Sequence, residues 1–430
     1  MKQLSGQRRA DAAIVGGGLT GLLLGASLSR EDLRVAVVDA ENGTCPPPWE
    51  AATLPCGRTL PQIYALHGLE KAQQYASSLQ TQLRALLEAS LPYVHREAAY
   101  TYAHHAADLP SLERLHDLCT HLQLPVHIAP DAGGCPFPVE LSLFSQAAVI
   151  DMLRWMAALS ASIRRNGGQI YRSSRVITLD GQRVHTAKGT LTAPVIILTT
   201  GKPLGLRDSR LLTLLESRTT AHCVMASDIP LHSVQQSIDR GLTLCPARAG
   251  VIVTMDIGRT GSREQAAGIG DFLHTLGRLL PDWQSEDIFC TQHVHSADGL
   301  PFIGMLPGQR LLFATGFGSC GILGAMHAAE VLTRRILGRA LPEDALYAPD
   351  RTLPQGLLRR EKRRLLAISM AGLLHPQAPA CSHCRCRTRY FSHASQWGCP
   401  LCGTVYDCIG LPISGPGMAP IRVSPRQRRY

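Results

Sequence analysis

The chain has 430 residues, of which 45% are hydrophobic and 18% charged, and its formal net charge is +10. This length provides for two or three domains with their own cores, and the composition is typical of a soluble globular protein. No apolar run approaches the ~20 residues that a membrane span requires, and the N-terminus runs directly into a predicted strand, which argues against a secretory signal. We therefore expect a cytoplasmic protein without a membrane span.

The first 40 residues contain a glycine motif between a strand and a helix. An apolar run leads into the sequence G-x-G-x-x-G, which starts at Gly16, and a second apolar run ends at Asp39. Such glycines admit a pyrophosphate to the helix N-terminus, and the acid accepts hydrogen bonds from a ribose. The motif alone does not choose between FAD and NAD. It predicts a dinucleotide site that contains Gly16, Gly18, Leu19, Thr20, Gly21 and Asp39.

The middle of the chain contains several predicted elements. Residues 69–90 and 144–166 have helical patterns. A strongly apolar strand, residues 194–199, runs into Gly201, as in the second half of a flavin-binding domain, where this glycine lies near the cofactor. Residues 205–295 form a separate region, for which we expect an antiparallel substrate-binding sheet.

A second combination of strand, glycine turn and helix lies between residues 296 and 335. Residues 311–316 predict the strand and residues 322–337 the helix. Together with the motif at Gly16, this stretch resembles the D-amino-acid oxidase-like family of FAD-dependent oxidoreductases. The resemblance implies that the helix N-terminus faces the isoalloxazine ring, where its dipole stabilises negative charge on the reduced flavin. It assigns to the flavin site Asp298, Gly316, Phe317, Gly318, Gly321 and Ile322, together with Gly201.

Members of this family oxidise C–N bonds of amino acids and amines by hydride transfer to flavin. The resemblance therefore implies FAD as the cofactor and a small-molecule amine or amino acid as the substrate. The sequence singles out no catalytic residue. Arg58, Arg248 and Arg259 are candidates to bind a substrate carboxylate.

Six of the 14 cysteines lie between residues 381 and 408. Two C-x-x-C pairs, Cys381 with Cys384 and Cys399 with Cys402, are separated by 14 residues. Two such pairs can place four thiolates around one metal ion, and close cysteine spacing in a reducing compartment indicates a metal site before it indicates disulfides. The spacing predicts a zinc-ribbon-like or rubredoxin-like site on Cys381, Cys384, Cys399 and Cys402.

The surroundings of these cysteines resemble a Rieske domain, which commonly follows this flavoprotein family. Rieske ligands are two Cys and two His in the patterns C-x-H and C-x-x-H. The resemblance implies that the usual disulfide is lost, because the expected partner of Cys386 is Leu401. It also implies a 2Fe-2S cluster on Cys381, His383, Cys399 and Cys402, in which Cys402 stands where the second His is expected.

We therefore expect an α/β fold that consists of a Rossmann-type FAD-binding domain, an inserted antiparallel substrate domain and a small Cys-rich β C-terminal domain. The expected segments are FAD-binding residues 8–68, 144–204 and 296–350, substrate or cap residues 69–143 and 205–295, a basic linker helix at 351–378, the metal module at 379–420 and a basic tail at 421–430.

The expected function is FAD-dependent oxidation of an amino acid or amine. Electrons would pass to an electron-carrier protein if the C-terminal module is redox-active. Two alternatives stay open: a catalytically degenerate flavin-fold scaffold or regulatory protein with a structural zinc module, and an NAD-linked dehydrogenase. We do not expect nucleic acid as a partner, because aromatic residues are not interleaved with the basic residues of the linker and tail.

Overall fold

The computed structural model describes most of the chain. Of the predicted basic tail, residues 424–430 lie outside the described part. None of the described helices combines the length and apolarity needed to span a bilayer. The described residues are 2–40, 46–55, 57–204, 209–226, 231–239, 241–248, 250–305, 311–391 and 395–423.

Helices and strands are mixed along the described residues, and the chain ends in four short strands. The helices are α1 (Leu19–Ser29), α2 (Thr59–His67), α3 (Leu69–Glu88), α4 (Leu109–His121), α5 (Met152–Arg165), α6 (Ser209–Leu214), α7 (Arg263–Leu279), α8 (Gly321–Ile336) and α9 (Gln355–Leu373). The strands are β1 (Gly6–Arg9), β2 (Ala12–Val15), β3 (Val35–Val38), β4 (Trp49–Thr53), β5 (Val94–Ala103), β6 (His127–Ala129), β7 (Leu141–Asp151), β8 (Gln169–Tyr171), β9 (Val176–Asp180), β10 (Arg183–Thr186), β11 (Gly189–Thr192), β12 (Val195–Leu198), β13 (Leu215–Ala226), β14 (Ser233–Ser237), β15 (Thr243–Ala247), β16 (Gly250–Arg259), β17 (Gln284–Ser296), β18 (Phe302–Met305), β19 (Leu311–Thr315), β20 (Arg389–Phe391), β21 (Gln396–Gly398), β22 (Val405–Tyr406) and β23 (Pro412–Ser414).

The flavin-binding half is built on a six-stranded sheet in the order β18-β19-β12-β2-β3-β8, parallel except for the edge strand β18. Both faces of this sheet are covered, which explains why its strands are continuous apolar runs. Ile14 and Val37 face the helical layer of α1, α3 and α8. Ala13 and Val38 face a smaller sheet of the order β1-β11-β10-β9. The Rossmann-type α/β domain is confirmed.

The second half is a nine-stranded sheet, predominantly antiparallel, in the order β17-β13-β16-β15-β14-β5-β7-β4, with β6 paired to β7. The single parallel pair on this path joins β14 and β5. These strands come from both segments expected to bind substrate, and β4 comes from the first flavin-binding segment. The expected antiparallel sheet is therefore present, and its edge strand β4 brings residues 49–53 into it.

The prediction of one helix over residues 144–166 is wrong in its first part. Residues 144–151 belong to β7, which pairs with β4 and β5, and the helix α5 begins only at Met152. Asp151 caps this helix, because its Oδ1 accepts a hydrogen bond from the Arg154 backbone N–H at 3.0 Å. The helix expected over residues 69–90 is confirmed as α3.

The C-terminal part contains α9, within the predicted linker 351–378, and a four-stranded antiparallel sheet in the order β20-β21-β22-β23. The core of this small module contains the buried side chains of Trp397 and Tyr406 together with three cysteines, Cys381, Cys399 and Cys402. The expected small Cys-rich β domain is confirmed. So small a core gains stability from a bound metal.

Candidate active site and metal centre

The glycine loop between β2 and α1 has the geometry of a phosphate cradle. Gly16 has a φ of +114°, and a Cβ atom there would lie 2.8 Å from the Thr199 carbonyl oxygen. A Cβ at Gly21 would overlap the Gly16 carbonyl oxygen, so only glycine lets α1 pack this close. A Cβ at Gly18 would meet nothing within 4 Å, which leaves open space in front of the backbone. The chain therefore fits a pyrophosphate at this point.

The N-terminus of α1 has no side chain that caps it. Its N-cap is Gly18, and its first turn contains no acidic residue, so the first N–H groups stay available for an anion. Leu19 and Thr20 are the first residues of this helix. Asp39 follows β3, and a Cβ at Gly17 would lie 2.7 Å from its Oδ2, so this carboxylate lies against the glycine loop. The structure thus brings all six predicted nucleotide residues together.

A cavity of about 840 Å³ opens between the nine-stranded sheet, the loop before α8 and the linker helix α9. Its volume suits an isoalloxazine ring together with a small substrate. Of the flavin residues predicted from the sequence, Gly318, Gly321 and Ile322 line this cavity. Gly201, Asp298, Gly316 and Phe317 are not among its lining residues.

The N-terminus of α8 faces the cavity. Its N-cap is Cys320, without a side-chain cap hydrogen bond, and no acidic residue lies in the first turn. The unpaired N–H groups and the helix dipole therefore give this end of the cavity a partial positive charge. A buried partial positive charge stabilises an anion there, as the sequence predicts for a reduced flavin.

Asp298 holds two other side chains. Its carboxylate accepts hydrogen bonds from Arg351 at 2.9 and 2.8 Å, and its Oδ2 lies 3.1 Å from His67 Nε2. Burial alone would raise the pKa of Asp298, but the hydrogen bonds and charges of His67 and Arg351 hold it below its usual value. The Asp298 side chain therefore connects the end of α2, the loop before β18 and the segment that leads into α9.

Most charged side chains around the cavity are paired with one another. Arg218 contacts Asp256 at 2.6 Å and Glu216 at 2.9 Å. Arg364, from α9, contacts Glu216 at 3.3 Å and Glu361 at 2.6 Å. The linker helix α9 is thus part of the cavity wall. Because the charges on this wall are paired, they leave little net charge on it.

Glu50 and Arg58 line the cavity and, within the described part of the chain, have no ion-pair partner. Burial raises the pKa of Glu50 to about 7. Arg58 is exposed and donates from Nη2 to the backbone carbonyl of Asp239 at 2.9 Å. Of the three arginines proposed from the sequence, Arg58 alone lines the cavity, and Arg248 and Arg259 do not.

Three histidines that the sequence analysis left without a role also line the cavity. His222 Nε2 lies 2.7 Å from Thr291 Oγ1, and this oxygen lies 2.9 Å from His293 Nε2. Burial lowers the pKa of His222 to about 3 and that of His295 to about 4, and it lowers the pKa of His293 as well. These imidazoles are therefore neutral near pH 7 and offer hydrogen bonds without charge.

The four cysteines of the two C-x-x-C pairs lie together in the C-terminal module. The sulfur atoms of Cys381, Cys384, Cys399 and Cys402 are all within 4.8 Å of one another. The Cys381–Cys402 pair is 3.5 Å apart and the Cys384–Cys399 pair 3.3 Å. A tetrahedral ion with bonds of about 2.3 Å to sulfur separates its ligands by roughly 3.8 Å, so the four cysteines fit one metal ion.

Of the two ligand sets predicted from the sequence, the four cysteines lie together as one group of possible metal ligands, and His383 is not in that group. The His383 side chain lies next to it and forms a hydrogen bond with Cys402, while its Nδ1 is buried without a hydrogen-bond partner. Around the cluster, Tyr406 Oη lies 3.2 Å from Cys381 Sγ, and Thr404 Oγ1 lies 3.1 Å from Cys402 Sγ.

The sulfur atoms strongly influence one another. Hydrogen bonds from Cys384, Cys399 and Cys402 hold the pKa of the Cys381 thiol well below its usual value. Burial, together with hydrogen bonds to Cys381, Cys384 and Cys402, raises the pKa of Cys399. The pKa values of these thiols are thus shifted in opposite directions. A bound cation would lower all of them, because it stabilises all four thiolates at once.

The Rossmann-type fold, the glycine loop before α1 and the N-terminus of α8 together indicate a flavoprotein, and comparison with known proteins agrees. Residues 11–335 match the family described as FAD dependent oxidoreductase, abbreviated DAO. The chain belongs to this family of FAD-dependent oxidoreductases.

Two curated proteins are similar to most of this chain. YhfW of Bacillus subtilis (strain 168), provisionally named a Rieske 2Fe-2S iron-sulfur protein, is 20% identical, and the alignment covers 96% of this chain and 92% of YhfW. Glycine oxidase of Geobacillus kaustophilus (strain HTA426) is 24% identical, over 73% of this chain and 89% of its own. The module is thus similar to a part of YhfW.

Solved structures show the same fold. The crystal structure of glycine oxidase from Geobacillus kaustophilus superposes with a TM-score of 0.63 at 18% identity, over 81% of this chain and 100% of that one. L-proline dehydrogenase from P. horikoshii gives a TM-score of 0.60 at 13% identity, over 81% of this chain and 98% of that one.

Proposed function

We propose that the protein oxidises the C–N bond of a small amino acid or amine in the 840 Å³ cavity. The observation that carries this proposal is the cavity itself, which joins the positive N-terminus of α8 to a wall that contains Glu50 and Arg58, two charged residues without an ion-pair partner in the described part of the chain. The glycine loop and the N-terminus of α8 would hold FAD, which would supply the hydride acceptor for oxidation of the carbon next to nitrogen.

The unpaired charges suit a zwitterionic substrate. Arg58 would bind the carboxylate, and Glu50 would bind the ammonium group and accept its proton, because a base with a pKa near 7 accepts a proton efficiently at neutral pH. The neutral His293 and His295 would orient the substrate by hydrogen bonds and help to exclude water. Glycine and L-proline are the first compounds to test, since the names of two related proteins contain them.

For the C-terminal module we propose one tetrahedral metal ion on Cys381, Cys384, Cys399 and Cys402. All four sulfurs surround a single centre, whereas a two-iron cluster distributes its ligands over two metal ions and separates them further. With zinc, the module is structural, and electrons leave the flavin directly for oxygen or a carrier protein.

A 2Fe-2S cluster is the second candidate for the module. The name of YhfW and the match of Cys381, His383 and Cys399 to the Rieske pattern favour it. In that case electrons could pass from the flavin through the cluster to a carrier protein, and the enzyme would act as a dehydrogenase.

The test is a visible absorption spectrum of the anaerobically purified protein, with iron and zinc counted in the same sample. We expect flavin bands that bleach when an amino acid substrate is added, together with one metal ion per chain. About two irons per chain, with inorganic sulfide, would establish the 2Fe-2S candidate instead. A colourless protein that cannot be reconstituted with FAD would overturn the oxidase proposal and favour the scaffold alternative.

A further inference from the structure

The metal module is packed directly on the flavin-binding and substrate halves. A Cβ at Gly261 would lie 2.9 Å from the Cys399 carbonyl, and a Cβ at Gly403 would overlap Ser217 Oγ. Ser217 Oγ also donates to the Cys402 carbonyl at 3.5 Å. The second cysteine pair, with the residues between and after it, therefore lies in a close-packed interface with the rest of the protein.

A buried lysine from the flavin-binding half reaches into this interface. Lys202 follows the end of β12 and is 2% exposed. Its Nζ donates to the backbone carbonyl of Leu401 at 2.9 Å. Leu401 lies between Cys399 and Cys402, so the ammonium group is held beside two of the four proposed metal ligands.

A buried ammonium group requires a compensating negative charge nearby. Among the described residues, no carboxylate forms an ion pair with Lys202. Burial lowers the pKa of Lys202 to about 8, and the Cys402 thiolate opposes this change, as do Cys399 and Cys384. The cation of Arg364 acts in the same direction as burial. Because Lys202 Nζ is held at the Leu401 carbonyl, between Cys399 and Cys402, the thiolates of the cysteine cluster can supply this negative charge.

The charge of the centre depends on its ligands. Four thiolates around a divalent ion carry a net charge of about −2, whereas three thiolates and one neutral imidazole on an oxidised two-iron cluster carry about −1. A buried lysine is stabilised by either centre, and more strongly by the four-cysteine centre, which carries the larger negative charge. Its position thus agrees with the four-cysteine set.

We propose that Lys202 is the counter-ion of the four-cysteine centre, and that the flavin-binding half thereby sets the affinity with which the C-terminal module holds its metal. The inference rests on the metal centre proposed above, and it assigns a role in metal binding to a residue outside the module. It also implies that the module binds metal most tightly when it is docked.

The test measures Zn²⁺ affinity of the full-length protein by competition with a chromophoric chelator. We expect Lys202→Gln and Lys202→Met to weaken Zn²⁺ binding roughly tenfold to a hundredfold, the usual effect of removing an outer partner of a metal ligand. Gln can still donate a hydrogen bond to the Leu401 carbonyl, whereas Met cannot. A loss of Zn²⁺ affinity in both variants therefore shows that the positive charge of Lys202, and not its hydrogen bond, is responsible. Lys202→Arg should retain affinity within about threefold.

Ser217→Ala is the matched control, because it removes a contact to the same cysteine pair without changing charge, and it should leave Zn²⁺ affinity within about threefold. FAD content and thermal unfolding show that each variant is folded. Unchanged affinity in Lys202→Gln overturns the counter-ion role and leaves the metal centre standing. A wild-type protein that binds neither zinc nor iron overturns the proposed metal centre itself, while flavin bleaching by substrate still tests the oxidase function separately.

Discussion

Arg351 donates two hydrogen bonds to the carboxylate of Asp298, from Nε at 2.9 Å and from Nη2 at 2.8 Å. The two side chains are 8% and 1% exposed. The same guanidinium donates to the carbonyls of Leu300 and Pro301 and lies 3.8 Å above the ring of Phe302. The segment that leads into the linker helix is thus fixed to the loop that precedes β18.

Asp298→Asn should destabilise the protein strongly. The variant leaves Arg351 buried without its counter-charge, which typically costs about 3–5 kcal/mol. The measurement is the free energy of urea unfolding at pH 7, or the thermal midpoint where unfolding is irreversible. Asp282→Asn is the control, because Asp282 is exposed.

The pH dependence of this pair has a definite sign. The folded-state pKa of Asp298 is depressed, so its stabilising effect is present above the ordinary carboxyl pKa and disappears as the pH falls through the folded value. The difference between Asp298→Asn and wild type should therefore shrink in acid. A difference that is equal at pH 7 and in strong acid would show that the ion pair contributes little.

The nucleotide end of the site could be predicted from the sequence because its determinants are local. Gly16, Gly18 and Gly21 lie within six residues, and each has its own steric or binding task. The Asp298 side chain is the opposite case. Its partners lie 231 and 53 residues away in sequence, and only the tertiary fold shows that it is a buried ion-pair residue.

The start of α5 was misplaced for a physical reason. Residues 147–150 are buried on both faces of the sheet, so they form a continuous apolar run that periodicity cannot distinguish from a helix. Asp151 marks the true start of the helix in the sequence, since an aspartate before an apolar helical run is a typical N-cap. The paired charges of the cavity, such as Arg218 with Asp256, depend on the register between β13 and β16, which the sequence alone does not define.

Gly18→Ala and Gly21→Ala should separate FAD binding from folding. A Cβ at Gly18 meets open space, and its φ of −70° suits alanine, so Gly18→Ala should fold normally but bind FAD roughly tenfold or more weakly. A Cβ at Gly21 overlaps the Gly16 carbonyl oxygen, so Gly21→Ala should lose about 1–3 kcal/mol or more of stability even without FAD. Flavin retention and unfolding of the apoprotein provide the two measurements. Equal FAD affinity in Gly18→Ala and wild type would argue against a pyrophosphate at this glycine.

Glu50→Gln should change how the stability of the protein and its kcat/KM depend on pH around pH 7. Burial raises the folded-state pKa of Glu50 from 4.5 to about 7, so the folded protein binds the extra proton and stability falls as the pH rises between these values. The glutamine variant does not suffer this loss, and it should be more stable than wild type at pH 8 but not at pH 4. Thermal midpoints at the two pH values test this directly.

The same substitution tests the role of Glu50 as a proton acceptor. For the wild type we expect kcat/KM to rise with pH up to about 7, and Glu50→Gln should lower kcat/KM by roughly 10²-fold or more and remove that dependence. Glu97→Gln is a useful control, because Glu97 lies on β5 of the same sheet, outside the cavity lining. An unchanged pH profile in Glu50→Gln would assign the proton transfer to another group.

Cys384→Ser and His383→Ala distinguish the two ligand sets of the metal module. The structure places Cys384 Sγ 3.3 Å from Cys399 Sγ and leaves His383 outside the four-sulfur group. Cys384→Ser should therefore reduce the bound metal to well below one ion per chain, and His383→Ala should retain it. Cys408→Ser is the control, because Cys408 is exposed and lies outside the group. The reverse result, in which His383→Ala loses metal and Cys384→Ser keeps two irons per chain, would establish the Rieske-type ligands, because a two-iron cluster on that set requires the imidazole and not the Cys384 thiolate.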